Sequence, residues 1–158
     1  MVPDETYAIL DRLQGEYKEN LTADCGDFIV RRSDGVYAYQ LAVVTDDIAG
    51  GITEVVRGRD LLSSSPRQQY LYELFGASAP EYCHVPLLVT PEGRRLSKRE
   101  KDLSLEELLE RMRPEELIGA LLHACGVLEH REAISAADAA RIFDWSRVKA
   151  NDVVLTQL

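Results

Sequence analysis

Apolar and polar positions change rhythm near residue 103. Before it, short apolar runs and alternating stretches predict strands set between helices; after it, apolar residues recur at helical spacing. The clearest buried-strand pattern is His84-Val85-Pro86-Leu87-Leu88-Val89, ended by a Pro91-Glu92-Gly93 turn. Upstream, Ile52-Thr53-Glu54-Val55-Val56 is a β-branched, alternating strand. Between the two, Ser63, Ser64 or Ser65 can cap a helix with Pro66 in its first turn, Tyr70, Leu71, Leu74 and Phe75 on one face, and Gly76 at its end. Strand, helix, strand in this order predicts a right-handed crossover in a parallel sheet.

The flanks are read the same way. Asp27–Arg32 and Val36–Tyr39 extend on either side of Ser33-Asp34-Gly35, which predicts a hairpin. Gln40 to Ile48 reads as a helix closing on Asp46-Asp47, stopped by Ala49-Gly50-Gly51. Thr6 to Leu13 fits an alternating strand before a turn at Gly15, and also a short helix; its large anchors, with those that follow, are Tyr7, Ile9, Leu13, Tyr17 and Leu21. Beyond residue 103, Leu105, Leu108, Leu109 and Met112 form one stripe. Pro114 opens a second helix with Glu115 and Glu116 at its positive end and Leu117, Ile118, Leu121 and Leu122 on its face, running to about Gly126. Ser135-Ala136-Ala137-Asp138 is a capping-box pattern for a third helix through Ile142. Phe143–Ser146 closes the domain, and the residues after Arg147 read as an ordered tail at best. The fold class is α/β.

Composition narrows the partners. A chain of 158 residues holds one domain with a real core, or that plus a small helical appendage. Its formal net charge of −9 repels nucleic acid overall, so any RNA contact must be local. Cys25, Cys83 and Cys125 fit neither a disulfide framework nor a zinc pattern, which points to a reducing cytoplasm. No apolar run is long enough to cross a membrane, and Met1-Val2-Pro3-Asp4-Glu5 lacks the regions of a signal peptide.

Against that acidity, Gly93-Arg94-Arg95-Leu96-Ser97-Lys98-Arg99-Glu100-Lys101 concentrates five basic side chains between a strand and a helix. Such a loop at the end of an α/β strand can hold phosphate oxygens, with small residues allowing close approach; the alternative is a solvated basic loop. Other candidates divide similarly. Tyr39 either packs the hairpin or lines a pocket. Arg57, at a strand end, pairs either a ligand or Asp60 or Asp47. Asp46-Asp47 resembles a helix end more than a metal site, and His84 reads as a satisfied core histidine. Ser63 to Ser65 read as caps, because no histidine and aspartate pattern accompanies them.

Four blocks in order, RRSDGVYAYQLAVVTDD, GITEVVRGRDLLSSSPRQ, YCHVPLLVTPEGRRLSKR and FDWSRV, resemble the glutamyl branch of class I aminoacyl-tRNA synthetases over roughly residues 25–148. The LSKRxKDLSL and FDWS phrases resemble the glutamyl-queuosine tRNA(Asp) synthetases within that branch; the discriminating tRNA(Glu) synthetases share the first three blocks. The resemblance implies the second half of a Rossmann-like catalytic domain followed by a small helical stem-contact region. Residues 1–26 would end a connective insertion, 27–103 would form the half-domain with its KMSKS-like loop, and 104–158 the helical region and tail. RLSKR stands for the family's KLSKR. Lys98 is then the catalytic lysine, with Arg95, Ser97 and Arg99 beside it at the ATP phosphates, and Arg95 replaces a lysine. Tyr39 and Arg57 match the glutamate-binding tyrosine and arginine. The implied partners are glutamate, ATP with Mg2+, and tRNA, with tRNA(Asp) favoured over tRNA(Glu). The HIGH-like first signature and the upstream zinc cysteines are absent from the chain. By this resemblance the chain alone is inactive; a non-catalytic binding module is the rival reading.

Overall fold

The computed structural model describes residues 1–96 and 105–154. These form two compact units, Met1–His84 and Val85–Leu158.

In the first unit, β1 (Thr6–Asp11) pairs antiparallel with β2 (Gly15–Asn20), from Thr6 opposite Asn20 to Asp11 opposite Gly15. Period-two alternation buries Tyr7, Ile9 and Asp11 and leaves Leu10 exposed, so residues 6–11 are strand rather than helix; the strand read to Leu13 stops at Asp11, and the turn falls at 12–14, with Gly15 opening β2. Helix α1 (Tyr39–Gly50) ends where Gly51 turns left-handed and returns its N–H to the Asp47 and Ile48 carbonyls. Its Val44 is fully buried against Leu71 and Tyr72. Strand β3 (Glu54–Gly58) leads through a 3-10 turn (Arg59–Ser64) into α2 (Ser65–Leu74), and then into β4 (Glu81–Val85), which lies beside β3. Strand, helix and strand thus follow in the expected order with β3 beside β4, and among the described residues each sheet has two strands. Arg12 ties the unit together: its N–H donates to the Tyr82 carbonyl, and its guanidinium bridges Glu54 of β3 and Glu81 of β4.

Three expectations need correction here. The hairpin at 27–39 shrinks to one bridge, Arg31 opposite Tyr37, because Ile29, Val36 and Tyr37 stay exposed and an uncovered two-strand ribbon has no apolar face to bury. Helix α2 does not bury Leu74 and Phe75, which are 63% and 51% exposed; its inward side is Ser65, Pro66, Gln68, Leu71 and Tyr72. The serines do not cap it. Ser64 Oγ instead receives the Gln40 amide, whose carbonyl accepts from Gln68, and Ser65 is engaged elsewhere.

In the second unit, Pro86 breaks the run read as one strand. Leu88–Val89 (β5) is a separate strand that pairs in parallel with Val153–Val154 (β6), so the presumed tail forms part of the fold. After β5 the chain turns at Gly93 (φ 80°) and comes back, with Val89 opposite Arg95 and the Leu96 N–H on the Leu88 carbonyl. Helices α3 (Leu105–Arg111), α4 (Pro114–Ala124) and α5 (Ala136–Ile142) follow. The α3 stripe is largely uncovered, with Leu105 56% and Leu109 43% exposed. Helix α4 starts with Glu116 accepting the Arg113 N–H, and α5 with Ser135 accepting from Asp138, as the capping pattern predicts. Leu117, Ala120, Val127, Leu128, Ala139, Val148 and Val153 are buried.

Candidate functional site

Asp11 is the last residue of β1 and its inward position, so the alternation that buries Tyr7 and Ile9 buries a carboxylate too. The next turn wraps it: the Leu13 and Gln14 N–H groups donate to Oδ1 at 3.0 and 2.9 Å. Strand β4 supplies its third and fourth donors. The His84 N–H reaches Oδ2 at 3.0 Å, and His84 Nδ1 lies 2.6 Å from the same oxygen. His84 itself is fully buried, and its carbonyl accepts from the Gln14 amide.

The other ring nitrogen faces Arg57. Arg57 Nε donates to His84 Nε2 at 2.9 Å, and Nη2 donates to Ser65 Oγ at 2.9 Å and to the Leu61 carbonyl at 3.4 Å. A guanidinium only donates, so Nε2 must be the acceptor and the imidazole proton sits on Nδ1, toward Asp11. Burial pushes the His84 pKa below its ordinary value; the Asp11 hydrogen bond opposes this and the Arg57 charge adds to it. Burial acts to raise the Asp11 pKa, but the N–H groups of Gln14, His84 and Leu13 and the His84 ring outweigh it and hold the carboxyl below its usual range. The network is therefore a carboxylate, a neutral imidazole and a guanidinium in line.

Ser65, His84 and Asp11 together contain the atoms of a hydrolase triad. The arrangement cannot act as one. Ser65 is fully buried, and the Nε2 lone pair that would take its proton is already bonded to Arg57.

Tyr82 forms the floor beneath Arg57. The guanidinium carbon stands 5.0 Å from its ring centroid, and the ring stacks on His84 at 5.8 Å. Burial pushes the Tyr82 hydroxyl up to about 12; Arg57 opposes this, and the charges of Asp47 and Tyr39 add to it. Tyr39 and Arg57 thus both act on Tyr82. Tyr39 is the first residue of α1 and is 51% exposed, so it is not a packing residue for the region before it.

Arg57 makes no ion pair with Asp47 or Asp60 among the described residues. Its three acceptors, an imidazole, a hydroxyl and a carbonyl, are all neutral. Asp47 accepts from the Tyr72 hydroxyl at 3.2 Å, and the described residues contain no group of histidines, cysteines or carboxylates able to hold a metal. Of the basic loop, Arg95 is exposed on the returning arm of the hairpin after β5; Ser97, Lys98 and Arg99 lie outside the described residues. Sequence reasoning did not find Asp11, Ser65 or Tyr82. The one available signal was an aspartate at an inward register position, three residues after an exposed Ala8 and two after the buried Ile9.

The chain is similar to a glutamyl-Q tRNA(Asp) synthetase of Pseudomonas fluorescens, at 55% identity over 106 residues, 67% of this chain and 36% of that protein. It is similar to the glutamyl-Q tRNA(Asp) synthetase of Pseudomonas aeruginosa at 57% over 97 residues, 61% of this chain and 33% of that one. The chain spans about a third of the length of these curated relatives. Among solved structures it is similar to a glutamate tRNA ligase of Elizabethkingia meningosepticum in complex with its amino acid. That likeness has a TM-score of 0.81 at 26% identity and covers 99% of this chain and 35% of that one. The glutamate-tRNA synthetase of Elizabethkingia anophelis gives a TM-score of 0.80 at the same identity. The family of class I tRNA synthetases (E and Q), catalytic domain, matches residues 2–156, and the chain belongs to it.

Proposed function

We propose that the chain is the second half of the catalytic region of an ATP-dependent ligase that activates glutamate and transfers it to tRNA, with queuosine-modified tRNA(Asp) as acceptor. The observation that carries the amino-acid reading is Arg57, a half-buried guanidinium bonded, among the described residues, only to neutral acceptors. A positive charge kept from protein carboxylates is suited to a carboxylate of the substrate. Tyr39, exposed at the start of α1, would complete this side of the glutamate pocket.

In the first step a glutamate carboxylate oxygen bonds to the α-phosphorus of ATP, and the bond from that phosphorus to the bridging oxygen breaks, releasing pyrophosphate. In the second, a nucleoside hydroxyl attacks the acyl carbon and AMP leaves. Arg57 and Tyr39 orient glutamate. Lys98, with Arg95 and Arg99, neutralises the charge that builds on the leaving pyrophosphate and Ser97 contacts the ATP, so these residues work by positioning and electrostatics. Mg2+ finds no group of ligands among the described residues, and no step is routed through it. Residues 1–26 belong to the end of an insertion, 27–103 to the half-domain and 104–158 to a stem-contact region. The first of these is not separable from the site, since it contributes Asp11.

The acceptor reading is supported by the names of relatives above 50% identity, against 26% for the glutamate tRNA ligases. The test is transfer of labelled glutamate by the full-length protein to purified tRNA(Asp) and tRNA(Glu), with and without the queuosine modification. Charging of modified tRNA(Asp) alone is expected. Efficient charging of tRNA(Glu) would move the protein to the discriminating synthetases, and no ATP–pyrophosphate exchange at all would favour a binding module. Lys98→Ala should slow adenylate formation by about a hundredfold, with little change in glutamate affinity.

A further inference from the structure

We propose that Asp11 and His84 are positioning residues for Arg57: Asp11 keeps the imidazole proton on Nδ1, and the bare Nε2 then holds one edge of the guanidinium so that its opposite corner is offered to the substrate carboxylate. This rests on the reading of Arg57 as the glutamate-binding arginine.

An unrestrained arginine side chain samples many rotamers, and fixing it on a ligand costs that side-chain entropy. Here that freedom is removed before any ligand arrives. Nε is tied to His84 and Nη2 to Ser65, both at 2.9 Å, which fixes rotation in the guanidinium plane. The Tyr82 ring at 5.0 Å fixes the tilt. Among the described residues Nη1 carries no hydrogen bond.

The choice of partners matters as much as their number. A carboxylate in the place of His84 would hold Arg57 equally firmly and would also neutralise it. The imidazole instead accepts a hydrogen bond while carrying no charge, and the anion that fixes its tautomer lies on the far side of the ring. The outer partner of a ligand-orienting histidine does the same work in metal sites, where losing it typically costs 10–100-fold in affinity or activity.

The wild-type chain tests the first half directly. Long-range proton–nitrogen spectra of the His84 ring should show the Nδ1–H tautomer throughout the neutral range, with the Arg57 Nε–H protected from exchange. An Nε2–H tautomer would overturn the proposal without any variant. Asp11→Asn should mix the tautomers, speed Arg57 Nε–H exchange, and raise KM for glutamate in the full-length protein by about tenfold with a smaller change in kcat. His84→Gln, which retains a neutral acceptor for Nε, should keep KM well below that of His84→Leu; equal values for the two would count against positioning. If Asp11→Asn scrambles the tautomer but KM moves only in Arg57→Ala, the positioning role is overturned and the glutamate role of Arg57 stands. If Arg57→Ala leaves KM unchanged, the glutamate role fails and takes the positioning role with it.

Discussion

The buried polar side chains of the described residues, Asp11, Glu19, Ser64, Ser65, Gln68 and His84, all lie in residues 1–84; the buried residues described in 85–154 are apolar. In that second region close geometry is enforced by the backbone. A Cβ on Gly119 of α4 would overlap the Glu132 carbonyl, and Gly126, at φ 93°, has the Arg147 carbonyl 2.9 Å from where a Cβ would sit. The contrast has a physical lesson. A helical layer can be fixed by apolar contact and close approach alone, with no desolvation cost. A buried polar network carries that cost; around Asp11 and His84 it is offset because both side chains are paired, while Glu19 Oε2 in the same region has no hydrogen-bond partner among the described residues. What the first region gains is an oriented charge at Arg57, which apolar packing cannot supply.

The sharpest way to break this comparison is His84→Ala. It leaves the Asp11 carboxylate buried without its ring donor and Arg57 Nε without its acceptor. A loss of about 3–5 kcal/mol is expected, read from urea unfolding of the chain. A loss under 1 kcal/mol would mean that water replaces the ring easily and that the network is not a structural constraint.

Gly119→Ala is the matching test in the helical region. The Glu132 carbonyl is backbone and cannot swing aside, so α4 or the segment at 132–134 must shift, at a cost of about 1–3 kcal/mol. The Ile134 N–H on the Glu115 carbonyl should lose its exchange protection in the same variant. A neutral Gly119→Ala would show that this layer adjusts freely.

Acid separates the regions further. The folded chain holds His84 below its ordinary pKa of 6.5, so as pH falls through about 6.5 the unfolded chain takes a proton that the folded one refuses, and stability drops. Asp11 is held below its ordinary 3.8, so its own contribution, present above that value, is lost as pH falls below it. Two stages of destabilisation are expected in the first region, and His84→Gln should abolish the upper one. An unchanged upper stage would assign it to another group.

Much of this was legible in the sequence where a local rule and the tertiary contact agree. The αL glycine after α1, the Ser135 cap, Pro114 at the start of α4 and the alternation of β1 each report a backbone requirement met within a few residues. The misses are contacts without a local signature. Asp11 and His84 are 73 positions apart, and β6 is two valines whose partner lies far upstream. Hydrophobicity misdirected the reading of α2, because its inward side includes Ser65 and Gln68, held by hydrogen bonds, while Leu74 and Phe75 face outward. At 27–39, β-branched and aromatic residues suggested strands, but of these Phe28 packs on the core while Ile29, Val36 and Tyr37 stay exposed. His84 was correctly read as a satisfied buried histidine, yet one sequence could not show that the group satisfying it was the candidate ligand-binding arginine.

The smallest effect compares the two arginines by the same conservative change. Arg57→Lys cannot keep the bonds to His84 and Ser65 together, because an ammonium lacks the planar fork. KM for glutamate in the full-length protein should rise about tenfold or more. Arg95 is exposed on a hairpin arm, stands where the family carries lysine, and is expected to act on ATP phosphates as a point charge. Arg95→Lys should therefore leave the unfolding midpoint unmoved and change the rate of ATP–pyrophosphate exchange by no more than about fivefold, the scale of an exposed ion pair. Raising the salt concentration should shrink even that difference, since exposed charges are screened while the Arg57 effect persists. If Arg95→Lys proved the more damaging of the two, the hairpin would hold its arginine as specifically as the buried network does, and burial would no longer distinguish the two sites.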